Sequence, residues 1–373
     1  MTTQGTAAGL VDWRTVERLT ALIPAGPSAS RSARASSVAV LRRSAQEAPA
    51  WVARITGLNR AAQQVAETTR VSVVDRAGLV RASTRALRGL MEQVPAPQAS
   101  EAVRLVGAAE MAGAMSLLAT RLLGQVVPAA GTGADGDGGR GGEASPHLLL
   151  VAPNVLAMRR QLDLDMLDLP AWVCLHEMTH AVQLAAAPWL GPYLSDSMRM
   201  VIGAVVEAVY GGPGGGADGT GEQGLRRRPG RAARIAARAG RGRVLEGLTN
   251  FKERSEVASL AAALTFLEGH AEVVLDDVHP NRMPSVHRLR AVLSRSRAAD
   301  AGIGPGPGLG SLLLHRLMGL EAKEAQYADG TAFVRSVVAR IGHEGLNVVW
   351  TDPALLPTPA EIARPDVWVR RVG

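Results

Sequence analysis

The pattern of apolar and polar residues over the first 128 positions predicts a series of helices. Asp12 is placed to cap the first of them, which begins near Trp13 and ends before Pro24. We therefore interpret residues 1–128 as a helical N-terminal region. Its further helical patterns cover residues 33–48, 51–68, 76–93 and 99–127.

The pattern changes after residue 128. Residues 129–146 are Gly-rich and of low complexity, which is typical of a linker. The apolar run HLLLVAPN (147–154) favours a strand, and a helix is predicted from about residue 154 to residue 162. We interpret residues 147–373 as a second region that is interrupted by a Gly- and Arg-rich insertion at 211–243.

The composition supports a mainly α-helical protein. Of the 373 residues, 47% are hydrophobic but only 3% are aromatic. Ala and Leu, which are abundant here, fill helices more readily than strands, where aromatic residues are favoured. The hydrophobic content also excludes an intrinsically disordered chain.

The net charge of +7 comes from one short segment. Residues 225–243 contain eight arginines and no acidic residue, so the rest of the chain is slightly negative. The segment has no aromatic side chains on which bases stack, and we predict a solvated insertion without nucleic acid as a partner. The alternative is a patch that binds nucleic acid or an acidic partner in a salt-dependent way.

Several features predict a cytoplasmic protein without membrane contact. Cys174 has no second cysteine to pair with, which fits a reducing compartment. The N-terminal sequence MTTQGTAAGLVDW lacks the basic start and apolar core of a signal peptide. The longest charge-free apolar run in the C-terminal half, residues 257–267, is too short to span a bilayer. The oligomeric state is not indicated.

A further apolar helix is predicted over residues 170–187. Pro170 suits its first turn, Asp168 is placed to cap it, and Pro188 ends it. The sequence HEMTH, from His176 to His180, lies inside this helix.

The HEMTH sequence predicts a zinc site. Two imidazoles four residues apart project from one face of a helix, and their nitrogens can meet one Zn²⁺ about 2 Å away. Glu177 lies beside them and is placed to act as the general base that deprotonates the attacking water. We predict His176 and His180 as metal ligands and Glu177 as the catalytic residue. The alternative is an ordinary helix whose histidines are satisfied by hydrogen bonds.

A third protein ligand is expected from a helix predicted over residues 255–277, which contains LEGHAE. Glu268 and Glu272 share one face of this helix and interrupt a long apolar run. We predict Glu268 as the metal ligand and Glu272 as the carboxylate that orients a metal-bound histidine. His270 as the ligand is one alternative, and solvated helix charges for the two glutamates are the other.

Four segments together resemble a family of zincin-like metallopeptidases that is common in actinobacteria: HEMTHAVQ followed by PWL, LEGHAEVVLDD, LLLVAPN and KEAQYADGTAFVRSVV. Members are often labelled zinc-dependent metalloproteases or hydrolases. The chain looks like a branch associated by name with biosynthesis of the deazaflavin coenzyme F-420. The similarity runs from about Val11 to the C-terminus.

The resemblance implies a mainly α zincin-like fold with an HExxH helix, a second Glu-bearing helix and a small strand element. The family's HExxH element corresponds to His176, Glu177 and His180, and its EGHA element begins at Glu268. The chain departs from the family in its long Arg-rich insertion and in Glu272, where Asp is equally expected.

The predicted reaction is zinc-dependent hydrolysis of an amide bond in a peptide or protein substrate. Tyr327 is our candidate for stabilising the transition state, with His279 and His270 as alternatives. The other interpretation of Tyr327 is a helix-surface or packing residue. The strand at 147–152 is placed to pair with an extended substrate, as edge strands do. The competing interpretation is a non-catalytic zincin scaffold that keeps the metal for stability or acts in binding. The presence of Glu177 favours the enzyme, because a purely structural metal site needs ligands but no general base.

Overall fold

The computed structural model describes residues 5–127, 146–210, 251–300 and 323–373. This part of the chain is mainly helical with small sheets, which confirms the predicted fold class. The predicted linker, apart from Pro146, and the whole predicted insertion at 211–243 lie outside the described residues.

The strands are β1 (Gly5–Thr6), β2 (Arg70–Val74), β3 (Pro95–Ala96), β4 (Gly124–Val127) and β5 (His147–Val151). The first six helices are α1 (Trp13–Thr20), α2 (Arg31–Thr56), α3 (Asn59–Thr68), α4 (Arg76–Glu92), α5 (Glu101–Arg121) and α6 (Ala152–Gln161). The remaining ones are α7 (Asp168–Ala186), α8 (Leu190–Tyr210), α9 (Phe251–Asp276), α10 (Val286–Asp300), α11 (Lys323–Leu346), α12 (Pro359–Ile362) and α13 (Pro365–Val372).

The predicted cap of the first helix is confirmed, because the Asp12 side chain accepts a hydrogen bond from the backbone N–H of Arg14. The predicted break between residues 48 and 51 is wrong, since α2 continues through Pro49. The helix ends instead beside Gly57, whose φ of 77° is the left-handed conformation that terminates many helices.

Four of the five strands in the described residues were not predicted: the two-residue strands β1 and β3, and the longer strands β2 and β4. The segment RVSVV of β2 has the β-branched content of a strand. Residues 124–127 were predicted as the end of a helix, but α5 stops at Arg121 and these residues form β4. The strand predicted in HLLLVAPN is confirmed as β5.

The main sheet has the order β2-β5-β4, with β2 parallel and β4 antiparallel to β5. The hypothesis that the 147–152 strand accepts an extended substrate is therefore wrong, because β5 is paired on both sides. The edge strands of this sheet, among the described residues, are β2 and β4. The four residues from Leu148 to Val151 are buried, which explains their continuous apolar sequence.

The largest buried cluster surrounds α7. Helix α2 contributes Leu41 and Val52 to it, β5 contributes Leu148 and Leu150, and α9 contributes Val274. Burying one such side chain stabilises the fold by about 1.5–3 kcal/mol. The helix with the HEMTH sequence is consequently held on several sides by the core.

Helix α9 crosses α11 at two glycines. A Cβ on Gly269 would lie 2.2 Å from the carbonyl carbon of Gly330, and a Cβ on Gly330 would lie 2.1 Å from the carbonyl oxygen of Thr265. Neither position has room for a side chain. The glycine of the LEGHAE segment thus lets the Glu268-bearing helix pack against α11 by backbone contact.

We expect Gly269→Ala to lower the free energy of unfolding by about 1–3 kcal/mol, the usual cost of overpacking. Gly113→Ala on α5 is the matched control, because nothing lies within 4 Å of its added Cβ. Ala also favours a helix over Gly, so the control is expected to be neutral or stabilising. Urea unfolding measures both. Equal stabilities of the two variants would contradict the close helix crossing.

Two helices have the length and mean hydropathy of a membrane span: α5 and the Ser255–Asp276 part of α9. Core helices meet the same criteria, and α9 places Phe266 and Ala271 in the core. The two helices are therefore weak evidence for a membrane segment.

Candidate metal centre

The start of α7 differs from its predicted start. Asp168 is the first residue of the helix and does not cap it. The Asp165 carboxylate instead accepts hydrogen bonds from the backbone N–H groups of Leu167 and Asp168, at 2.7 and 3.0 Å. Asp168 accepts hydrogen bonds from the backbone N–H and the hydroxyl of Ser285, which precedes α10. The predicted cap at Asp168 is wrong because an acid three residues earlier takes that place.

His176 and His180 lie next to each other on α7, as their spacing predicts. Their rings are nearly perpendicular, at 86°, with centroids 4.8 Å apart. The two Nε2 atoms are 3.3 Å apart. Both side chains are partly exposed, while neighbouring Cys174 and Leu175 are buried in the core.

Glu268 reaches the same point from α9. One carboxylate oxygen lies 3.6 Å from Nε2 of His176, and the other lies 3.7 Å from Nε2 of His180. The donor atoms of the three residues all lie within 4.8 Å of one another. Two helices that are far apart in the sequence thus present two nitrogens and a carboxylate to one small volume.

These separations fit a tetrahedral zinc ion. Ligands about 2.0–2.2 Å from such an ion lie about 3.3–3.6 Å from each other, because the edge of a tetrahedron is about 1.63 times the centre-to-corner distance. The Nε2–Nε2 distance of 3.3 Å lies in that range, and each Nε2 has a different Glu268 oxygen close to its upper end, at 3.6 and 3.7 Å. Imidazole nitrogens with one carboxylate are also a donor set that catalytic zinc sites use. The residues present therefore fit the metal that the HEMTH sequence implies.

Glu272 lies one helical turn beyond Glu268. Its carboxylate is 3.9 Å from Nδ1 of His176, the ring nitrogen that does not face Glu268. Burial opposes protonation of His176, but the hydrogen bond and charge of Glu268, together with the charges of Glu177 and Glu272, outweigh burial and raise the pKa of His176. The ring accordingly lies in a field of three carboxylates, which is also favourable for a bound cation.

Glu177 packs against the backbone of Gly124, the first residue of β4. A Cβ on Gly124 would lie 2.7 Å from Cγ and 3.1 Å from Oε1 of Glu177. The glycine thus leaves the space that the Glu177 side chain occupies between α7 and β4. Gly124 was not among the residues predicted from the sequence, because its partner is 53 positions away and no local motif marks it.

Gln183 is a second residue that the sequence analysis missed. It is 1% exposed, and its side-chain oxygen lies 2.9 Å from Nδ1 of His180. The signal that could have found it is a polar residue three positions after His180 on an otherwise apolar helix.

The weaker candidates lie elsewhere. His270 is fully buried, and its Nδ1 is 3.0 Å from the Gln183 amide instead of being among the three converging donors. Burial, and then the neighbouring His343 and His180, lower the pKa of His270 to about 3. His279 is exposed, and its Nδ1 accepts a hydrogen bond from the backbone of Asn281. The side chain of Tyr327 lies outside the described residues.

Comparison with known proteins identifies a matching family and a similar fold. The model of the zincin-like metallopeptidase family matches residues 11–369. A crystal structure of a "putative hydrolase with a novel fold" from Chloroflexus aurantiacus is similar to the chain, with a TM-score of 0.60 and 21% identity. The similarity covers 97% of this chain and 98% of that one, and at this identity it establishes the fold alone. No curated protein matches.

We expect Gly124→Ala to lower activity while zinc binding and stability stay close to those of the wild type. The added methyl group would push the Glu177 side chain aside, and a displacement of about 1 Å can cost about 10²-fold in rate. Gly89→Ala, where the added Cβ has nothing within 4 Å, is the control. Turnover of zinc-loaded protein measures the effect. Wild-type turnover in the Gly124 variant would contradict this placement of Glu177.

Proposed function

The chain belongs to the zincin-like metallopeptidase family, and from this premise we propose that it is a zinc-dependent hydrolase that cleaves amide bonds in a peptide or protein. His176, His180 and Glu268 hold the zinc ion, and Glu177 is the general base. The observation that carries the proposal is the convergence of three donor atoms from two helices within 4.8 Å of one another, with the two imidazole nitrogens at the 3.3 Å spacing of tetrahedral zinc ligands.

Zinc held by these residues would supply Lewis acidity, which polarises a carbonyl group and lowers the pKa of water towards about 7. Glu177 takes the proton of the attacking water and passes it to the leaving nitrogen. Its contact with Gly124 supports this role, because the backbone there limits the positions that the carboxylate can adopt. Glu272 orients the ring of His176 from its Nδ1 side. Tyr327 remains our candidate for transition-state stabilisation.

Edge strand β4 is placed to pair with an extended substrate. It is an edge of the sheet among the described strands, and it begins at Gly124, directly against Glu177. A peptide that pairs with an edge strand forms main-chain hydrogen bonds without requiring a particular side chain. Pairing there would bring a peptide bond alongside the general base, which is why a peptide substrate is the class that we propose.

The remaining parts of the proposal are a cytoplasmic location and membership of the actinobacterial branch associated by name with coenzyme F-420. The name of the branch does not identify a substrate, and we do not propose that the protein binds the coenzyme. The nature of a substrate follows from the site and not from the fold.

A peptide library incubated with zinc-loaded protein tests the activity directly. We expect cleavage at internal amide bonds, its loss when a chelator removes the metal, and its recovery when zinc is added back. Mass spectrometry of the products identifies the cleaved bonds. Stoichiometric zinc without cleavage of any library member would favour the non-catalytic scaffold instead.

A further inference from the structure

The side chain of Gln183 connects the two ligand-bearing helices. Its oxygen is 2.9 Å from Nδ1 of His180 on its own helix, α7. Its nitrogen is 2.9 Å from the backbone oxygen of Leu267 and 3.0 Å from Nδ1 of His270, both on α9. Leu267 directly precedes Glu268 in the chain. The amide therefore connects His180, one proposed ligand, to the segment of α9 that carries Glu268, another proposed ligand.

The Leu267 carbonyl determines which way this amide faces. A carbonyl oxygen can only accept a hydrogen bond, so the NH₂ group of Gln183 must be the end that faces it. The oxygen of Gln183 must then face His180, and an amide oxygen can only accept. It follows that Nδ1 of His180 carries a proton and donates it. In the neutral ring Nε2 is then unprotonated, and Nε2 is the atom that lies near Glu268 and His176.

His270 uses the second hydrogen of the same NH₂ group. Because that group donates, Nδ1 of His270 accepts and is unprotonated. The His270 ring is fully buried between Phe266, Trp350 and His343. The buried Gln183 amide makes these three hydrogen bonds inside the protein. It cannot rotate by 180° without leaving polar groups unpaired.

We propose that Gln183 is a positioning residue that fixes His180 as the Nδ1–H tautomer, and that His270 is the buried acceptor that holds the Gln183 amide in the required orientation. The role in zinc binding rests on the proposed metal site. A histidine that binds zinc through Nε2 needs its lone pair on that atom, and a fixed partner at Nδ1 provides it before the metal arrives. This explains why a buried histidine that does not bind the metal lies beside the site.

The tautomer is measured in zinc-free protein by ¹⁵N NMR with selectively labelled histidine, at a pH above 8. We expect His180 to carry its proton on Nδ1 and His270 to carry its proton on Nε2. In Gln183→Leu we expect the Nε2–H form of His180 to become populated. An Nε2–H form of His180 in the wild type would overturn the proposal, whatever the protein binds.

Zinc affinity, measured by competition with a chelator, is the second readout. We expect Gln183→Leu and His270→Phe to weaken zinc binding by about 10–100-fold, as loss of an outer partner of a metal-bound histidine does. His270→Asn is expected to restore much of the affinity, because its amide oxygen can replace Nδ1 as acceptor. Equal affinities for His270→Phe and His270→Asn would contradict the role of His270 as an acceptor.

Thr56→Val controls for the loss of any buried polar group. The Thr56 hydroxyl is fully buried, and its hydrogen-bond partners among the described residues are the backbone oxygen of Val52 and the backbone N–H of Leu58. We expect this variant to lose stability and keep wild-type zinc affinity. If the wild type binds no zinc, the proposed metal site fails and the tautomer measurement still decides the proposal. If Thr56→Val weakens zinc binding as much as Gln183→Leu, the effect is general destabilisation and the proposal is overturned.

Discussion

Replacing Glu177 by Gln is expected to lower turnover by about 10²–10⁴-fold, the usual contribution of a general base, while the zinc content stays at the wild-type level. Glutamine has the same size and can occupy the space beside Gly124. It cannot take a proton from water at neutral pH. Because Glu177 is not among the three converging donors, the ion should be retained. Steady-state kinetics and metal analysis of the same sample measure the two quantities.

Glu67→Gln is the matched control, because Glu67 is exposed on α3 and contacts Gln63. Its turnover is expected to equal that of the wild type. If Glu177→Gln also retains wild-type turnover, Glu177 is not the base and the activity must come from another group. If Glu177→Gln loses the zinc as well, the carboxylate serves the metal and our division of roles is wrong.

Replacing Glu268 by Gln is expected to weaken zinc binding by far more than the same change at Glu272. Glu268 is 3.6 and 3.7 Å from the two Nε2 atoms, so its loss removes a ligand charge. Glu272 is 3.9 Å from Nδ1 of His176 and acts through that ring. Loss of such an outer partner costs about 10–100-fold in affinity. The Glu268 variant should exceed this range.

The two glutamates form an internally controlled pair, because they lie one turn apart on the same helix and the substitution is identical. Competition with a chelator of known affinity measures both dissociation constants under one set of conditions. Zinc binding that is weakened equally in both variants, or more strongly in Glu272→Gln, would contradict the roles that we assign to the two glutamates.

The sequence was enough to predict which three residues the structure brings together in the candidate metal centre. A four-residue separation on a helix fixes which side chains share a face, so His176 and His180 could be paired before any coordinates. Glu268 could be chosen because a carboxylate within an apolar helix needs a partner. The structure brings these three residues together.

Apart from the convergence of Glu268 with the two histidines, packing contacts between distant segments could not be predicted. The position of β5 at the centre of the sheet depends on β2 and β4, which lie on either side of it but come from separate parts of the chain. The role of Gly124 depends on the approach of Glu177, and the role of Gly269 depends on the approach of Gly330. A single sequence contains the glycines but not the neighbours that require them.

The sequence also could not decide between two residues that both suit the same role. Asp165 and Asp168 are both suitable caps for α7, and only the position of Ser285 shows why Asp168 is used elsewhere. Likewise, Glu268 and His270 were both candidate ligands. The structure distinguishes them, because His270 is fully buried with its Nδ1 3.0 Å from the Gln183 amide, while Glu268 lies among the three converging donors.

Elemental analysis of the purified protein, after loading with zinc and removal of excess metal, tests the central claim most directly. The arrangement of His176, His180 and Glu268 predicts one zinc ion per chain. A protein that is folded but retains no stoichiometric zinc would contradict the metal centre and the hydrolase that we build on it.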